Sequence, residues 1–236
     1  MSIIRHLFLI VFCFSIHSIA QPFEESIEDI LVSASMIPIS IQRTANAVDI
    51  IDEDDLANSA SLDISDLLRN ISGLGVSQTG APGSQTQVRV RGSEANHLLV
   101  IIDGIEANNP GQNDEFTWGT LSPNNIERIE IIKGPQSTMH GSDAMAGVIN
   151  IITKTPMNPS ELSAFLDYGN FQTKNRGMSF GSRKEKGSYQ ISISNLTSDG
   201  ENIARQGREK DGYNNTNVNI KTDLIINQHL TVAGIG

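Results

Sequence analysis

The sequence has one cysteine, few aromatic residues and no excess of basic charge. The single cysteine, Cys13, excludes a disulfide-rich scaffold and sites built from several thiolates. Lys and Arg number 17 against 27 Asp and Glu, so the chain lacks the basic surface that nucleic-acid-binding proteins need, and no nucleic-acid partner is expected. Aromatic residues make up only 5% of the chain, which disfavours a large aromatic core.

Residues 1–20 have the pattern of a cleaved export signal. Arg5 and His6 precede Leu7–Ile16, a run of ten residues that is apolar except for one serine. Ser18–Ala20 then places small residues at the −3 and −1 positions of a cleavage site. The run is shorter than the about 20 residues that a membrane-spanning helix needs. The mature chain is expected to begin at Gln21 and to contain no cysteine.

The acidic charge is concentrated in the first part of the mature chain. Residues 24–66 contain eleven acids and one base, whereas the residues from 67 onward contain 16 acids and 15 bases. Within the acidic segment, Ile30-Leu31-Val32 is a short apolar patch. It suits a strand that adds to the edge of another protein's sheet, and it suits equally an ordinary first strand of the fold.

The middle of the chain predicts a mixed α+β domain. A helix is predicted from a cap at Ser61 to about Asn70, and the acidic run 52–55 is predicted to begin another helix. Alternating and continuous apolar patterns predict strands at 87–91, 98–102, 126–132 and 148–152. Two polar loops, Ser77 to Gln85 and Asn108 to Glu115, either carry hydrogen-bonding groups to a ligand or are plain surface connections.

After Pro156 the pattern changes to longer alternating segments. Clear alternation covers 189–194 and 217–226, with a weaker case at 162–168. Polar, Gly-rich stretches at 182–187 and 199–213 separate these segments. Segments of about ten residues with one apolar and one polar face are typical of an outer-membrane barrel wall, although a soluble antiparallel sheet gives the same alternation.

Signatures of catalysis and of metal binding are lacking. The acidic run 52–55 does not have the spacing of a calcium loop, and the five histidines show no metal-ligand spacing. Asp103 ends an apolar run and precedes Gly104, so a role in an Asp-Gly turn is favoured over one as a catalytic carboxylate. An enzyme is therefore disfavoured, with no catalytic residues, no metal site and no cofactor expected.

Four ordered blocks of sequence resemble a known family. Residues 88–92, 97–104, 126–135 and 140–153 are similar to the plug domain of TonB-dependent outer-membrane receptors. The acidic leader contains a segment that resembles the family's TonB box, formed by Glu28, Asp29, Ile30, Leu31, Val32, Ser33 and Ala34. The runs Gly92–Val100 and Gly141–Ala144 are most similar to the cobalamin-receptor branch.

The resemblance implies a fold and a division of the chain. It implies an α+β plug domain, a small mixed sheet with short helices, followed by the first antiparallel strands of a transmembrane β-barrel. The expected parts are a signal peptide at 1–20, a TonB-box leader at 21–45, the plug at 46–156 and part of the barrel at 157–236. A barrel of about 22 strands is implied, whereas residues 161–236 hold four or five, so an incomplete barrel is expected.

The resemblance also implies partners and site residues. TonB, driven by its inner-membrane energising complex, would pair with residues 28–34 in the periplasm, while the plug lies inside a barrel that contacts outer-membrane lipid. Arg91, Arg128 and Glu130 are expected to pair with one another or with charges on the barrel wall, because half-made buried pairs are costly. The substrate-facing loop residues implied are Ser77, Gln78, Thr79, Gln85, Asn108, Asn109, Gln112 and Asn113.

Three functions are compatible with the sequence. The first is TonB-dependent uptake of a cobalamin-like chelate, a large and scarce nutrient, across the outer membrane. The second is the same architecture importing a ferric siderophore or haem. The third is a free-standing periplasmic binding module of plug type, which predicts that residues 161–236 form a soluble sheet.

Overall fold

The computed structural model describes residues 31–32, 39–40, 46–59, 61–80, 82–202, 207, 209–227 and 230–236. All of these belong to one compact unit, Leu31–Gly236. The predicted export signal lies outside the described residues. Among the described residues, no helix has the length and apolar character needed to cross a membrane.

The described part of the chain before residue 157 contains nine strands and three short helices. The strands are β1 (Leu31–Val32), β2 (Ile39–Ser40), β3 (Ala47–Ile51), β4 (Leu74–Gln78), β5 (Thr86–Val90), β6 (Leu98–Ile102), β7 (Ile105–Glu106), β8 (Ile126–Lys133) and β9 (Gly147–Thr153). The helices are α1 (Glu53–Asn58), α2 (Ile64–Leu68) and α3 (Ser137–His140). Single 3₁₀ turns occupy Ala95–His97, Pro110–Gln112, Trp118–Thr120 and Pro123–Asn125.

A five-stranded mixed sheet in the order β3-β8-β9-β6-β7 forms the centre of this part. β6 and β9 are parallel, and the other neighbouring pairs are antiparallel. A separate hairpin of β4 and β5 packs with α2 against one face of the sheet. β6 and β9 are apolar along most of their length because both of their faces are covered, which buries Leu98, Ile149 and Ile151.

Two predictions about helices met different outcomes. The acidic run 52–55 does begin α1: Asp52 is its N-cap, and the Asp55 backbone N–H donates to Asp52 Oδ1 over 2.9 Å. The predicted cap at Ser61 is wrong, because the N-cap of α2 is Asp63. Its carboxylate accepts from the Ser65 backbone N–H at 2.9 Å, and the helix begins at Ile64. That helix also ends at Leu68, earlier than predicted.

The Asp-Gly turn predicted at residues 103 and 104 is confirmed. Asp103 and Gly104 have φ of +48° and +87°, and Ile102 lies opposite Ile105 in the hairpin of β6 and β7. A two-residue hairpin turn needs positive φ at both central positions, which Asp and Gly tolerate best.

The chain after residue 160 forms a second sheet of five antiparallel strands, which we call the wall strands. They are β10 (Glu161–Tyr168), β11 (Lys174–Lys184), β12 (Gly187–Ser198), β13 (Tyr213–Asn227) and β14 (Leu230–Ile235), each paired with the next. The separating stretch predicted at 182–187 is shorter than expected, because residues 182–184 continue β11 in register with β12.

The wall strands have two chemically different faces. On one face large apolar side chains are exposed, and cross-strand rows bring Phe180, Ile191 and Ile220 together, as well as Met178, Ile193 and Val218. The opposite face carries polar side chains, of which Asn175 and Gln190 are buried. This division follows from the period of two in a strand.

Candidate functional site

The first predicted loop is the tip of the hairpin of β4 and β5. The Thr79 backbone N–H and Oγ1 donate to the Gln85 carbonyl over 3.1 and 3.2 Å, which closes the tip. The predicted loop begins too early: Ser77 and Gln78 are the last residues of β4 and pair with Gln87 and Thr86. Their register continues the apolar pairing of Val76 with Val88, so the strand extends into the polar stretch.

The second predicted loop is held to the sheet by Asn108. Its Oδ1 accepts from the Val100 backbone N–H at 2.8 Å, and its Nδ2 donates to the carbonyls of Leu98 and Asp114 at 3.0 and 2.6 Å. The amide therefore bonds to the backbone of β6 and to the loop at once. With both donors and the acceptor engaged, Asn108 positions the loop.

The rest of the second loop is ordered by local hydrogen bonds. Asn109 Oδ1 accepts from the Gly111 backbone N–H at 2.9 Å and starts a 3₁₀ turn. Gln112 Oε1 accepts from Thr117 Oγ1 at 2.8 Å. Asn113 has φ of +58° and is exposed. The exposed Gln112 and Asn113 are thus presented on a fixed backbone.

The two loops meet at one cleft of about 670 Å³, which we call the apex cleft. It is lined by Gly83, Ser84, Gln85, Thr86, Gly111, Gln112, Asn113, Glu115, Phe116, Thr117, Trp118 and Gly119. Of the eight residues predicted to face the substrate, three line it, namely Gln85, Gln112 and Asn113. The other five, Ser77, Gln78, Thr79, Asn108 and Asn109, are not among its lining residues.

Two aromatic residues that the sequence argument did not select form part of the cleft lining. Phe116 and Trp118 are both buried, and their rings stand edge to face at a centroid distance of 4.9 Å. Edge-to-face packing of this kind adds to the stability gained by burial. The isolated pair F-x-W after a polar loop was the available signal for this apolar contribution.

Glu115 is the one charged residue in the lining of the apex cleft. Gln87 Nε2 donates to its two carboxylate oxygens at 2.8 and 3.1 Å. Arg89 in turn donates to Gln87 Oε1 at 2.6 Å. The Gln87 amide therefore orients the Glu115 carboxylate. The Arg89 guanidinium bonds to Gln87 and not to Glu115 itself.

Two side chains of β13 contact the 3₁₀ turn Trp118–Thr120, which follows the second loop in the chain. The Tyr213 hydroxyl donates to the Gly119 carbonyl, and Asn215 Nδ2 donates to the same carbonyl at 3.1 Å and to that of Thr120 at 3.4 Å. The Tyr213 ring also lies against Gly83 of the first loop. One wall strand thus touches the cleft lining at Gly83 and at Gly119, a relation that no local sequence pattern indicated.

A second contact joins the five-stranded mixed sheet to β13. Lys221 Nζ lies 2.8 Å from Asp103 Oδ1 and donates to the Thr153 carbonyl at 3.0 Å. Asp103 also accepts from the backbone N–H of Thr153 at 3.0 Å and from its hydroxyl. The sequence assigned Asp103 to its turn and did not foresee this ion pair.

Of the three charged residues expected to form pairs, two lie together within the plug. Arg128 Nε is 2.9 Å from Glu130 Oε1, and Asn150 Nδ2 donates to Glu130 Oε2 at 3.2 Å. Arg128 also pairs with Glu127 at 3.2 Å. Arg91 is exposed in a turn with φ of +51°, and its side chain has no hydrogen bond or ion pair with the described residues.

Most of the predicted TonB box lies outside the described residues. The residues outside the described part are Glu28, Asp29, Ile30, Ser33 and Ala34. Leu31 and Val32 form β1, which pairs antiparallel with β2. The extended backbone predicted for this patch is present at these two residues, and pairing with a partner stays a prediction.

Two carboxyl groups of the plug have raised pKa values. Burial raises the pKa of Asp63, against the lowering effect of its hydrogen bond from Ser65. Asp63 lines a second cavity, of about 390 Å³, between α2 and the wall strands. Desolvation raises the pKa of Glu106, and the nearby carboxylates Asp143 and Asp114 add to the effect.

Within the described ranges, no group of three or more His, Cys, Asp and Glu is arranged to hold a metal ion. The apex cleft instead offers amides, hydroxyls, one carboxylate and two aromatic rings. That set recognises an organic ligand by hydrogen bonds and apolar contact.

Comparison with known families finds one match, in the part of the chain before the wall strands. Residues 40–148 match the family model described as "TonB-dependent Receptor Plug Domain". The predicted fold, an α+β plug followed by the first antiparallel strands of a barrel, is confirmed.

Three solved structures are similar to this chain. The pyoverdine outer membrane receptor FpvA from Pseudomonas aeruginosa PAO1 matches 87% of this chain and 29% of its own, with 14% identity and a TM-score of 0.71. The siderophore receptor PirA from Acinetobacter baumannii matches 79% and 30%, with 21% identity and a TM-score of 0.63. A mutant ferric enterobactin receptor PfeA from Pseudomonas aeruginosa, in complex with enterobactin, matches 80% and 32%, with 23% identity and a TM-score of 0.58.

The chain spans about a third of the length of these solved structures. At such identities the likeness establishes the fold. The predicted outer-membrane location agrees with these matches, and none of the three structures described is a cobalamin receptor.

Proposed function

We propose that this chain, with its TonB-dependent receptor plug domain, is the plug and first barrel strands of a receptor that imports a metal chelate. The protein lies in the outer membrane, with the plug inside the barrel. The observation that carries the proposal is the apex cleft, built from two plug loops and touched by the wall strand β13. A cleft that is formed by plug loops and held to a barrel strand by hydrogen bonds is suited to binding a ligand inside a barrel.

The two faces of the wall strands support a membrane location. Exposed apolar rows on one face fit contact with lipid, and the polar face carries Asn215 and Lys221, which bond to the plug. A soluble sheet would leave this apolar face in water, where large contiguous apolar patches are rare. The free-standing periplasmic module is therefore the less favoured candidate.

For the cargo we favour a ferric siderophore and keep a cobalamin-like chelate as the second candidate. Siderophore receptors are the solved structures described above, which supports the first. The runs Gly92–Val100 and Gly141–Ala144, which resemble the cobalamin-receptor branch, support the second. Both cargoes are large organic chelates, and a cleft of about 670 Å³ accommodates part of either one.

Energy for import would come through residues 28–34. TonB would pair with this segment by strand addition, so the backbone N–H and C=O groups supply the affinity. The extended backbone of Leu31 and Val32 supports this assignment. Pulling on the leader would then rearrange the plug beneath the bound chelate.

Uptake of radiolabelled chelates by cells that express the natural gene tests this proposal. We expect import of ⁵⁵Fe-siderophore or ⁵⁷Co-cobalamin that requires TonB. Val32→Pro removes a backbone donor and should abolish import while binding at the cell surface persists. Val32→Ala keeps the backbone donor and is the matched control, which should retain import.

Two results would contradict the proposal. Import that continues unchanged in a strain without TonB would show that transport is not energised through TonB. Recovery of the plug in the soluble periplasmic fraction, with no barrel in the outer membrane, would instead favour the free-standing module.

A further inference from the structure

The apex cleft has negative charge and no positive charge in the part that the structure describes. Its lining contains Glu115 and no Lys, Arg or His. The two segments that supply the lining, residues 83–86 and 111–119, contain Asp114 and Glu115 and no Lys or Arg. A ligand entering the cleft therefore meets amides, hydroxyls and a carboxylate.

The Glu115 carboxylate has no direct ion-pair partner among the described residues, and the Arg89 guanidinium is linked to it only through Gln87. Both of its oxygens accept from the Gln87 amide, and it forms no ion pair within 4.0 Å among the described residues. Arg89 bonds to Gln87. Arg69, near the base of the first loop, bonds to Gln78 and lies outside the cleft lining. The negative charge of Glu115 thus remains at the cleft.

The remaining lining suits the organic exterior of an uncharged chelate. Gln85, Gln112 and Asn113 present amides, which both donate and accept hydrogen bonds. Phe116 and Trp118 contribute aromatic surface beneath them. Such groups satisfy amide, hydroxamate and hydroxyl groups of a ligand without requiring a charge on it.

Resting on the proposed function, we propose that the apex cleft selects an uncharged or positively charged metal chelate and discriminates against polyanionic chelates such as a ferric tricatecholate. An anion placed here loses part of its hydration, meets the Glu115 carboxylate and gains no cation in return. Discrimination by an unfavourable charge is an ordinary source of specificity. The fold alone does not determine the charge of the cargo.

Equilibrium binding with three probes of different charge tests the inference. The full product of the natural gene, purified in detergent, is titrated by calorimetry with an uncharged ferric trihydroxamate, with cyanocobalamin and with an anionic ferric tricatecholate. We expect an uncharged probe to bind, and the tricatecholate to bind at least about tenfold more weakly.

Variants of the cleft show whether its charge is the cause. Gln85→Lys adds a cation and Glu115→Gln removes the anion while keeping an acceptor for Gln87. Each should shift the ratio of the two affinities, tricatecholate against uncharged probe, by about tenfold in favour of the tricatecholate. Thr138→Lys adds the same charge at an exposed position of α3 outside the cleft, and it should change neither affinity.

The results separate this inference from the function on which it rests. If the tricatecholate binds as tightly as the uncharged probes, or if Gln85→Lys leaves its affinity unchanged, the charge inference fails. The receptor function then still stands, provided that import of the bound probe requires TonB. If none of the three probes binds, the charge inference fails, and the TonB-dependent uptake assay described above decides the receptor function on its own.

Discussion

Lys221 of β13 places its Nζ 2.8 Å from Oδ1 of Asp103 in the plug hairpin. The Asp103 side chain is 5% exposed and that of Lys221 is 14% exposed, so the pair is largely shielded from water. The same carboxylate accepts from Thr153 at the end of β9. A single aspartate therefore joins the turn, the last plug strand and the wall.

Removing only one member of this pair should destabilise the packing of the plug against the wall strands. Lys221→Met leaves the Asp103 charge buried and is expected to cost about 3–5 kcal/mol, measured as a lowered thermal transition of the detergent-solubilised protein. The double variant Asp103→Asn with Lys221→Met removes both charges and should recover much of the loss.

An exposed ion pair provides the control for that experiment. Lys154 and Glu53 are 2.8 Å apart, and their side chains are 36% and 58% exposed, far more than those of Lys221 and Asp103. Lys154→Ala should therefore cost less than about 1 kcal/mol. Equal effects of Lys154→Ala and Lys221→Met would show that burial of the wall contact contributes nothing.

Gly83 should be intolerant of a side chain because it lies beneath Tyr213. A β-carbon at Gly83 would overlap the Tyr213 ring, and the residue has φ of +86°. Overpacking of this kind costs about 1–3 kcal/mol. We expect Gly83→Ala to lower both the thermal transition and the affinity of the apex cleft for its chelate.

A comparison with Gly92 separates the overlap from the backbone strain. Gly92 has a similar φ of +80°, and nothing lies within 4 Å of an added β-carbon. Gly92→Ala should show only the backbone cost of about 1–2 kcal/mol. Adding Tyr213→Ala should relieve Gly83→Ala but not Gly92→Ala, and a double-mutant cycle measures this difference.

The sequence predicted the strands whose pattern is continuous or strictly alternating. β6 coincides with the predicted run 98–102, because a strand buried on both faces is apolar throughout. β11 was not predicted: Met178 and Phe180 are its only large apolar residues, and it forms through pairing with both neighbours, β10 and β12. Pairing that depends on distant strands leaves little trace in local sequence.

The candidate site was predictable only in part for the same reason. The polarity of the two loops pointed to Gln85, Gln112 and Asn113, which do line the apex cleft. Tyr213 and Lys221 reach the plug from positions about 100 residues along the chain, so their partners depend on tertiary structure. A local pattern indicates which polar groups a loop carries, but it does not indicate which distant residues contact that loop in the folded protein.

The buried pair of Arg128 and Glu130 should be more sensitive to truncation than the exposed Arg91. Glu130 is fully buried, so Arg128→Ala leaves a buried carboxylate and is expected to cost about 3 kcal/mol or more. Combining it with Glu130→Gln should recover stability. Arg91→Ala should change stability by no more than about 0.5 kcal/mol; a thermal shift as large as that of Arg128→Ala would contradict this account.

Asp63 should make the stability of the plug depend on pH in the acidic range. Burial raises its pKa in the folded protein above the ordinary value of 3.8, so the folded state binds the proton more tightly than the unfolded state does. The stabilising contribution is therefore fully present below the unfolded pKa. It is lost as the pH rises through the folded pKa, where the buried carboxyl must ionise.

Asp63→Asn isolates this effect because asparagine is an equally good N-cap for α2. We expect the variant to be more stable than the wild type at neutral pH, where the buried charge is removed, and to lose this advantage below the ordinary pKa of the carboxyl. Thermal transitions of both proteins, recorded from pH 3 to pH 8 at constant ionic strength, measure the difference. Asp54→Asn, at an exposed position of α1, is the control and should show no such crossover. A wild-type advantage that grows as the pH rises through this window would show that the hydrogen bond from Ser65 outweighs burial at Asp63.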